Sequence, residues 1–469
     1  MADGLWAADR RALTGGLVLT ITFVAAEALA VVTVMPVVAR DLGGLSLYGW
    51  VFSAFMLGTV VGVVAAGREA DRRGPIVPYL VGLVLFGAGL TVAGLAPSMP
   101  VLIVGRALQG LGAGAIPAVA YVAIGRSLPE RLRAAMMAVL STAWVAPGLA
   151  GPALSAEVAR LFGWRWVFLG LLPFVAVTGS FAIPALARLG RPEESAADGH
   201  RLLDGVWVAA GAGMFLAGLT LVAGSGSTLA GAGLIVAGAA LGLPMLRRLL
   251  PAGAFTARRG LPATILTRGL LTFAFFGADA YVTLSITTVR HQSTLLAGAA
   301  VTGSTVAWTA GAWIQARLSE KWEGRRLVRV GLVIILAGIA GMVLVLGPAI
   351  PVAVALAAWT VAGLGMGLAY APIALMMLRE APRGREGWAS ASLSLADVLG
   401  TAMGVGVGGA AVAAVAGSKQ ALSAGVTIAF AAAAAAAIVA LAVSGRLPTG
   451  LAAAPQPASS EQATVTPSG

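Results

Sequence analysis

The sequence predicts an all-α polytopic membrane protein with fourteen spanning helices, arranged as two six-helix bundles with a two-helix insertion between them. Three observations lead to this prediction. The chain of 469 residues is 59% hydrophobic and only 11% charged, whereas soluble domains carry roughly a quarter charged residues. Fourteen apolar runs are each long enough to cross a bilayer, which takes about 20 helical residues. The two groups of six runs also repeat short motifs in the same order.

The apolar runs divide the chain into two bundles and a hairpin. The first six runs lie at 17–37, 47–66, 77–96, 101–124, 135–156 and 166–187. The hairpin is predicted at 205–222 and 229–246. The last six runs lie at 265–288, 295–316, 328–347, 351–377, 388–414 and 421–444. The predicted domains are a cytoplasmic N-terminus (1–16), the first bundle (17–187), a cytoplasmic linker (188–204), the hairpin (205–246), a second cytoplasmic linker (247–264), the second bundle (265–444) and a disordered cytoplasmic tail (445–469) rich in Pro, Ala and Ser.

Three pairs of short motifs relate the two bundles to each other. The sequence GLGAG at 110–114 in the fourth helix is matched by GLGMG at 363–367 in the fourth helix of the second bundle. AEA at 26–28 is matched by ADA at 278–280, and STAWV at 141–145 aligns with SLADV at 394–398. Internal repeats of this kind are typical of transporters, whose substrate site lies between the repeats near the bilayer midplane.

The distribution of basic residues predicts the orientation in the membrane. With the N-terminus in the cytoplasm, 25 of the 31 Lys and Arg residues fall in cytoplasmic segments, five fall outside, and Arg106 lies inside a helix. Such an excess marks the cytoplasmic side of a membrane protein. We therefore expect a multi-pass protein of the bacterial plasma membrane with both termini in the cytoplasm. The net charge of +12 follows from this topology and does not indicate nucleic-acid binding.

The composition also argues against enzyme classes. The chain has no cysteine, which excludes disulfides and thiolate metal sites. His200 and His291 are isolated in predicted loops, and the sequence contains no phosphate-binding loop, metal-ligand cluster or hydrolytic triad. We expect no catalytic residue, no metal, no cofactor and no enzymatic activity.

Three carboxylates lie deep in predicted helices: Glu27, Asp279 and Asp397. An ionised acid at a helix centre costs about 2.5–3.5 kcal/mol on insertion scales. Each acid is therefore either a structural group, paired or protonated, or a site for a proton or a cationic substrate. Equivalent positions in the two bundles favour function for Glu27 and Asp279, whereas Asp397 aligns with Trp144.

Arg106 is the only basic residue that the predicted helices place well inside the membrane, and its repeat counterpart is Trp359. Arg106 either has a structural role, hydrogen-bonded to a backbone carbonyl or paired with a neighbouring acid, or it controls when an acid binds its proton. Burial opposes ionisation of a carboxyl group and a nearby cation favours it. We hypothesise that a cavity acid such as Glu27 releases its proton when a cation approaches and regains it when the cavity turns outward.

Further candidate residues lie in the loop after the second helix and in the fifth helix. Gly67, Asp71, Arg72 and Gly74 belong to a short loop of mixed charge, which either latches one conformation or only anchors the cytoplasmic side. Gly148, Gly151 and Pro152 belong to a Pro-Gly segment predicted to interrupt the fifth helix, as a bend or as a gate. The candidate substrate cavity includes Gln109, Trp144, Phe276, Tyr281 and Trp359, although most aromatic residues in membrane helices serve packing.

Several of these motifs resemble the major facilitator superfamily, specifically its fourteen-helix drug:proton antiporter subgroup, over residues 17–445. The stretch 106–114 resembles the family's fourth-helix motif, and 27–36 is similar to the subgroup's first-helix motif with Glu in place of the usual Asp. The loop motif is matched at Gly67, Ala70, Asp71, Arg72 and Gly74, but Glu69 replaces a Leu, and Pro75-Ile76 replace a basic pair. Gly148, Gly151 and Pro152 resemble the fifth-helix antiporter motif, with Ser155-Ala156 in place of its closing glycines. The segment 163–168 also resembles the subgroup.

The resemblance implies the major facilitator fold, in which two six-helix bundles rock around a central site, with proton influx driving export. It implies a role in proton transfer for Arg106. The leading hypothesis is a proton-coupled antiporter that exports amphipathic small molecules, with cations among the candidates, and Glu27, Asp279, Asp397 and Arg106 as the coupling groups. The alternatives are an exporter of one specific lipid or natural product, a proton-coupled importer, and a non-transporting membrane scaffold or sensor. The expected partners are a small amphipathic substrate, protons and the lipid bilayer, with the protein as a monomer.

Overall fold

The computed structural model describes residues 5–7, 10–128, 132, 136, 139–140, 142–188, 200–224, 227–319, 321–382, 386–415 and 419–449. Throughout these residues the ordered elements are helices, and no strand occurs among them. The first six long helices are α1 Arg11–Leu42, α2 Tyr48–Arg73, α3 Ile76–Gly94, α4 Met99–Ser127, α5 Val145–Phe162 and α6 Leu172–Ala187. The hairpin consists of α7 His200–Ala223 and α8 Thr228–Leu249. The last six are α9 Leu261–Leu284, α10 Thr294–Leu318, α11 Gly324–Val345, α12 Ala353–Glu380, α13 Glu386–Ala413 and α14 Lys419–Val443.

Thirteen helical segments of the described chain are long and apolar enough to cross a membrane. The exception among the long helices is α5. The fifth helix was predicted at 135–156, but the described residues between 132 and 142 are helical, Ala143 and Trp144 form a turn, and α5 begins at Val145. The Pro-Gly segment therefore does not break the helix, and the bend or gate predicted there stays a prediction. Pro147 occupies the first turn of α5, where its missing N–H has no partner to lose, and the helix continues through Pro152.

The sixth predicted helix is also divided. A short helix at Arg165–Leu169 precedes α6, and a turn at Gly170 and Leu171 separates the two. Pro173 lies at the start of α6, a position where proline is well tolerated.

The repeated GLGxG motifs pack two neighbouring helices closely in each bundle. In the first bundle a Cβ added at Gly110 would overlap the carbonyl oxygen of Phe55 on α2, and one at Gly112 would overlap that of Gly82 on α3. In the second bundle Gly363 and Gly365 have the same relation to Ser304 on α10 and to Gly331 on α11. Small residues allow such close backbone approach, which drives helix association in membranes. The repeat that the sequence predicts is thus present in the packing.

The two bundles meet along two seams, where α2 contacts α13 and α5 contacts α10. Helix α7 of the hairpin contacts both α2 and α13. Its contacts include a hydrogen bond from Trp50 Nε1–H to Thr220 Oγ1 at 3.3 Å and close packing of Leu216 against Gly406. The insertion therefore lies over the seam between α2 and α13. Helix α8 packs mainly on α7.

Candidate functional site

Glu27 on α1 and Arg106 on α4 form an ion pair inside the first bundle. Arg106 Nη1–H donates to Glu27 Oε1. Glu27 is 0% and Arg106 3% exposed, so the pair is removed from solvent. Charges in this environment are stable only when they are paired and hydrogen-bonded, because desolvation costs several kcal/mol per ion. Two of the four residues that the sequence marks as coupling candidates are therefore partners.

Gln109 completes a three-residue cluster with this pair. It lies one helical turn after Arg106 on α4 and is fully buried. Its Oε1 accepts from Arg106 Nη1–H at 3.0 Å, and its Nε2–H donates to Glu27 Oε1 at 3.2 Å. Residues three apart on a helix share one face, so α4 presents the base and the amide together to α1.

Helix α2 holds the other side of the Arg106 guanidinium. Arg106 Nε–H donates to the carbonyl of Val51 at 3.3 Å, and its Cζ lies 4.3 Å from the centre of the Phe55 ring. An aromatic face attracts a desolvated cation by about 2 kcal/mol. The guanidinium is thus fixed by three helices, α1, α2 and α4.

One oxygen of the buried carboxylate has no partner. Glu27 Oε2 is inaccessible to solvent and makes no hydrogen bond to any described residue. An unsatisfied buried acceptor is costly, by about 1–3 kcal/mol or more for a charged group. Oε2 is therefore the atom of the cluster with a vacant position for a proton or another donor.

The second bundle repeats the arrangement with a neutral donor in place of the basic residue. Asp279 on α9 is partly buried, and its Oδ1 accepts from Trp359 Nε1–H at 2.7 Å. Trp359 on α12 is the repeat counterpart of Arg106 and is 0% exposed. Equivalent helices therefore join an acid to a donor in both bundles, with a guanidinium in the first and a neutral indole in the second.

A second ion pair lies in the second bundle, between Arg268 on α9 and Asp397 on α13. Arg268 Nε–H donates to Asp397 Oδ1 at 3.0 Å, and Tyr370 O–H donates to Asp397 Oδ2 at 2.9 Å. Arg268 Cζ also lies 3.1 Å from the centre of the Tyr370 ring. Arg268 lies at the cytoplasmic end of the predicted run at 265–288 and counts there among the cytoplasmic basic residues. Its side chain is nevertheless only 5% exposed. Arg106 is therefore not the only basic residue inside a helix. The signal for Arg268 was Asp397 itself, an acid that needs a partner.

Aromatic side chains connect these two sites of the second bundle. The ring of Phe275 stacks on Trp359 at 5.2 Å and meets Trp308 edge to face at 5.5 Å. Trp308 in turn lies 5.4 Å from Tyr370. The predicted cavity residue Phe276 is partly buried and lies 6.0 Å from Trp308.

The other predicted cavity aromatics lie apart from this series. Tyr281 is fully buried, its O–H donates to the carbonyl of Val405 at 2.5 Å, and its ring contacts Tyr48. Trp144 is 46% exposed and lies in the turn before α5. The structure therefore gives Tyr281 a packing position and leaves Trp144 nearly half exposed.

The predicted latch residues are only partly described. The backbones of Gly67, Asp71 and Arg72 belong to α2, but the side chains of Asp71 and Arg72 lie outside the described part of the structure. Gly74 ends α2 with a φ of +85°, a conformation that favours glycine, and its N–H donates to Ala70 O. Glu69, which replaces the family's Leu, pairs with Arg73 at 2.8 Å.

The fifth-helix motif packs against the opposite bundle. A Cβ added at Gly148 would overlap the side chain of Thr305 on α10, and one added at Gly298 on α10 would lie 3.2 Å from the carbonyl oxygen of Pro152. Gly151 faces α1, with only Leu29 nearby. Two of the three motif residues thus take part in the seam between α5 and α10.

This fold, with paired acids and bases buried among membrane-length helices, is that of a membrane transporter and not of an enzyme. Among the described residues no cluster of His, Asp and Glu could hold a metal ion. Residues 16–405 match the model of the Major Facilitator Superfamily, and the chain belongs to this family.

Named relatives are similar over part of their length. The probable multidrug-efflux transporter Rv1634 of Mycobacterium tuberculosis is 33% identical over 159 residues, which is 34% of this chain and 34% of the relative. The multidrug transporter protein MdtP of Bacillus subtilis is 33% identical over 179 residues, 38% of this chain and 32% of the relative. The match thus spans about a third of the length of each relative.

Solved structures support the fold. A bacterial homologue of the human lysosomal transporter Spinster, in an inward-facing and unoccupied conformation, has a TM-score of 0.61 at 14% identity, covering 94% of this chain and 96% of that one. A POT family transporter solved with a thioalcohol-conjugated peptide has a TM-score of 0.66 at 13% identity, covering 92% and 96%. At this identity the likeness concerns the fold alone.

Proposed function

We propose that the protein is a proton-coupled antiporter that exports amphipathic small molecules, cations among them, by alternating access. The observation that carries the proposal is the buried Glu27–Arg106 pair, in which Glu27 Oε2 lacks a partner among the described residues. The multidrug-efflux names of the relatives support export of small molecules. The orientation with both termini in the cytoplasm rests on the basic residues, and the bacterial plasma membrane rests on the bacterial relatives; both are part of the proposal.

The proton-binding step would take place at Glu27. With Arg106 beside it, the charge of the carboxylate is neutralised by the guanidinium, and Gln109 donates a hydrogen bond to it. When the helices move and Arg106 withdraws, a buried and unpaired carboxylate becomes costly, and the group takes up a proton. Because Oε2 is inaccessible to solvent in this conformation, protonation requires that movement. Proton uptake and conformational change would thereby be coupled.

The acids of the second bundle would act on the substrate. Asp279 is partly exposed, has no basic partner among the described residues, and lies beside the aromatic series that begins at Trp359. A carboxylate next to aromatic faces suits an amphipathic cation. Asp397 is already neutralised by Arg268, so we assign it a role in helix positioning.

The test compares uptake of a lipophilic cation into inverted membrane vesicles under an imposed inside-acid gradient. Inverted vesicles convert export into uptake. We expect gradient-dependent uptake by the wild type and its loss in Glu27→Gln, because the amide cannot exchange a proton. The matched control is Glu157→Gln. Glu157 is an exposed acid on α5, where it pairs with Arg160 at 2.5 Å. This variant should transport like the wild type.

Two results would count against the proposal. Gradient-driven uptake by Glu27→Gln at the wild-type rate would remove Glu27 from the coupling mechanism. Absence of uptake by the wild type, with folded protein in the vesicles, would favour a specific lipid or natural product as substrate, or import. Substrate screening in right-side-out vesicles would then separate these alternatives.

A further inference from the structure

The chain after α14 packs against the ends of α9 and α11 and borders a basic pocket. We call residues Ser444–Thr449 the C-terminal strap. Ser444–Arg446 form a short 3₁₀ turn, and Leu447 is buried. The strap is tied to α11, where Arg325 Nη2–H donates to Leu447 O and Arg329 Nε–H donates to Ser444 Oγ at 2.9 Å.

The strap is also tied to the start of α9. Arg446 Nη1–H donates to the carbonyls of Thr256 and Ala257 at 2.7 and 3.2 Å, and Gly260 N–H donates to Arg446 O at 3.3 Å. The strap and the ends of α9, α11 and α12 border an open cavity of about 460 Å³. We call this cavity the basic pocket.

Among the described residues, three arginines and one glutamate line the basic pocket. The arginines are Arg259, Arg325 and Arg446, and the glutamate is Glu380. Arg259 is exposed and makes no hydrogen bond or ion pair to the described chain. Arg325 Nε is buried and has no partner among the described residues. The pocket therefore holds uncompensated positive charge and free N–H donors.

Free guanidinium donors around one cavity match the chemistry of a phosphate group. Arg binds phosphate through parallel charge-assisted hydrogen bonds, and the partial positive charge at the N-terminus of α9, which begins beside Gly260, adds to the attraction. On the proposed orientation the pocket opens at the cytoplasmic surface of the membrane, where anionic lipid headgroups lie.

We propose that the basic pocket binds a phosphate group, supplied by an anionic lipid headgroup of the cytoplasmic leaflet. A basic residue that only faces the anionic lipids of the cytoplasmic leaflet needs no cavity, and Arg258 is such a residue. It is exposed and precedes Arg259 directly, but it does not line the pocket. Binding at this site is independent of the coupling step at Glu27.

The experiment measures retained lipid on the full-length protein purified in detergent. Phosphatidylglycerol or phosphatidylcholine is titrated, and the bound lipids are counted by native mass spectrometry. We expect the wild type to retain phosphatidylglycerol in preference to phosphatidylcholine. Arg259→Gln should weaken phosphatidylglycerol binding about tenfold, which is the contribution of one hydrogen bond to a charged group. Glu380→Gln should strengthen it, because the variant removes the one carboxylate among the described residues that line the pocket.

Arg258→Gln is the matched control, with the same change of charge one position away, and should bind as the wild type does. Equal losses in Arg258→Gln and Arg259→Gln, or no preference for phosphatidylglycerol in the wild type, would overturn the proposal. Inorganic phosphate is added in a second titration. Weak competition identifies the lipid as the source of the phosphate, whereas displacement of phosphatidylglycerol at equal concentration identifies a soluble phosphate.

Discussion

Glu27 and Arg106 depend on each other, since each would be an uncompensated buried charge without the other. The guanidinium also contacts Gln109, Val51 and the Phe55 ring, so it stays fixed by α2 and by its own helix if the acid is changed. Glu27 has only Arg106 and Gln109 as hydrogen-bond partners among the described residues. The pair is therefore unequal, and the acid is the member that loses more when its partner is removed.

This inequality predicts a mutational cycle. Arg106→Gln should lower the free energy of unfolding by about 3–5 kcal/mol, because it leaves a buried carboxylate unpaired. The double variant Glu27→Gln with Arg106→Gln should recover most of that loss. Thermal unfolding in detergent at constant pH measures both. Equal instability of the single and double variants would show that the ion pair is not what Arg106 stabilises.

The indole that replaces Arg106 in the second bundle predicts a milder effect. Trp359→Phe keeps an aromatic ring against Phe275 but removes the N–H that Asp279 accepts at 2.7 Å. The loss should be about 1.5–3 kcal/mol, the contribution of one hydrogen bond to a charged group. Asp279→Asn in the same chain should reduce this loss, as followed by the unfolding temperature. An unchanged unfolding temperature in Trp359→Phe would contradict the hydrogen bond.

The sequence identified the charged residues of the site more readily than their partners. Glu27 and Arg106 stand out because charges are rare in apolar runs, but nothing in the sequence pairs residues that are 79 positions apart. Arg268 was missed because it lies only four residues inside the predicted run at 265–288, near its cytoplasmic end. The helix actually begins at Leu261, which places Arg268 a further turn inside and within reach of Asp397.

At the scale of the helices, the GLGxG motifs set the spacing between neighbours. Gly110→Ala should lower the free energy of unfolding by about 1–3 kcal/mol, because its Cβ would meet a backbone oxygen of α2 that a side-chain rotation cannot move. Gly363→Ala should do the same in the second bundle. Gly233→Ala on α8, where no atom lies within 4 Å of the added Cβ, is the control and should have no such cost. Similar unfolding temperatures for all three variants would refute this account.

Helix ends were the least predictable elements. Apolar runs locate a membrane helix but do not distinguish an unbroken helix from two helices joined by a turn. The turn at Ala143 and Trp144 contains neither glycine nor proline, so no residue there signals a break. The Pro-Gly segment that follows carries that signal, yet it lies within α5, because proline fits the first turn of a helix.

At the scale of the whole molecule, the seam between α5 and α10 offers a test of rocking between the bundles. The chain has no cysteine, so an introduced pair reacts without background. A Cβ at Gly148 lies 3.2 Å from that of Thr305, close to the separation in a disulfide, which is about 3.5–4.5 Å. We expect Gly148→Cys with Thr305→Cys to cross-link on oxidation and to lose vesicle uptake, which a reductant restores. Each single variant should be insensitive to oxidant, and full transport by cross-linked protein would argue against separation of this seam.

The architecture was predictable because hydropathy, basic residues and repeats each constrain it independently. The position of the hairpin was not. Its two apolar runs indicate membrane helices, but lipid-facing and protein-facing residues are both apolar in a membrane, so the runs do not show which helices they contact. Only the structure reveals that α7 lies over the seam between α2 and α13.

The pairing of Glu27 with Arg106 has an electrical consequence. The pair carries no net charge, so moving it across the membrane potential requires almost no electrical work. A proton added at Glu27 gives the site one positive charge, and each elementary charge that crosses 100 mV corresponds to about 2.3 kcal/mol. In a proton-coupled cycle, the membrane voltage would therefore act on the protonated site and leave the paired site unaffected.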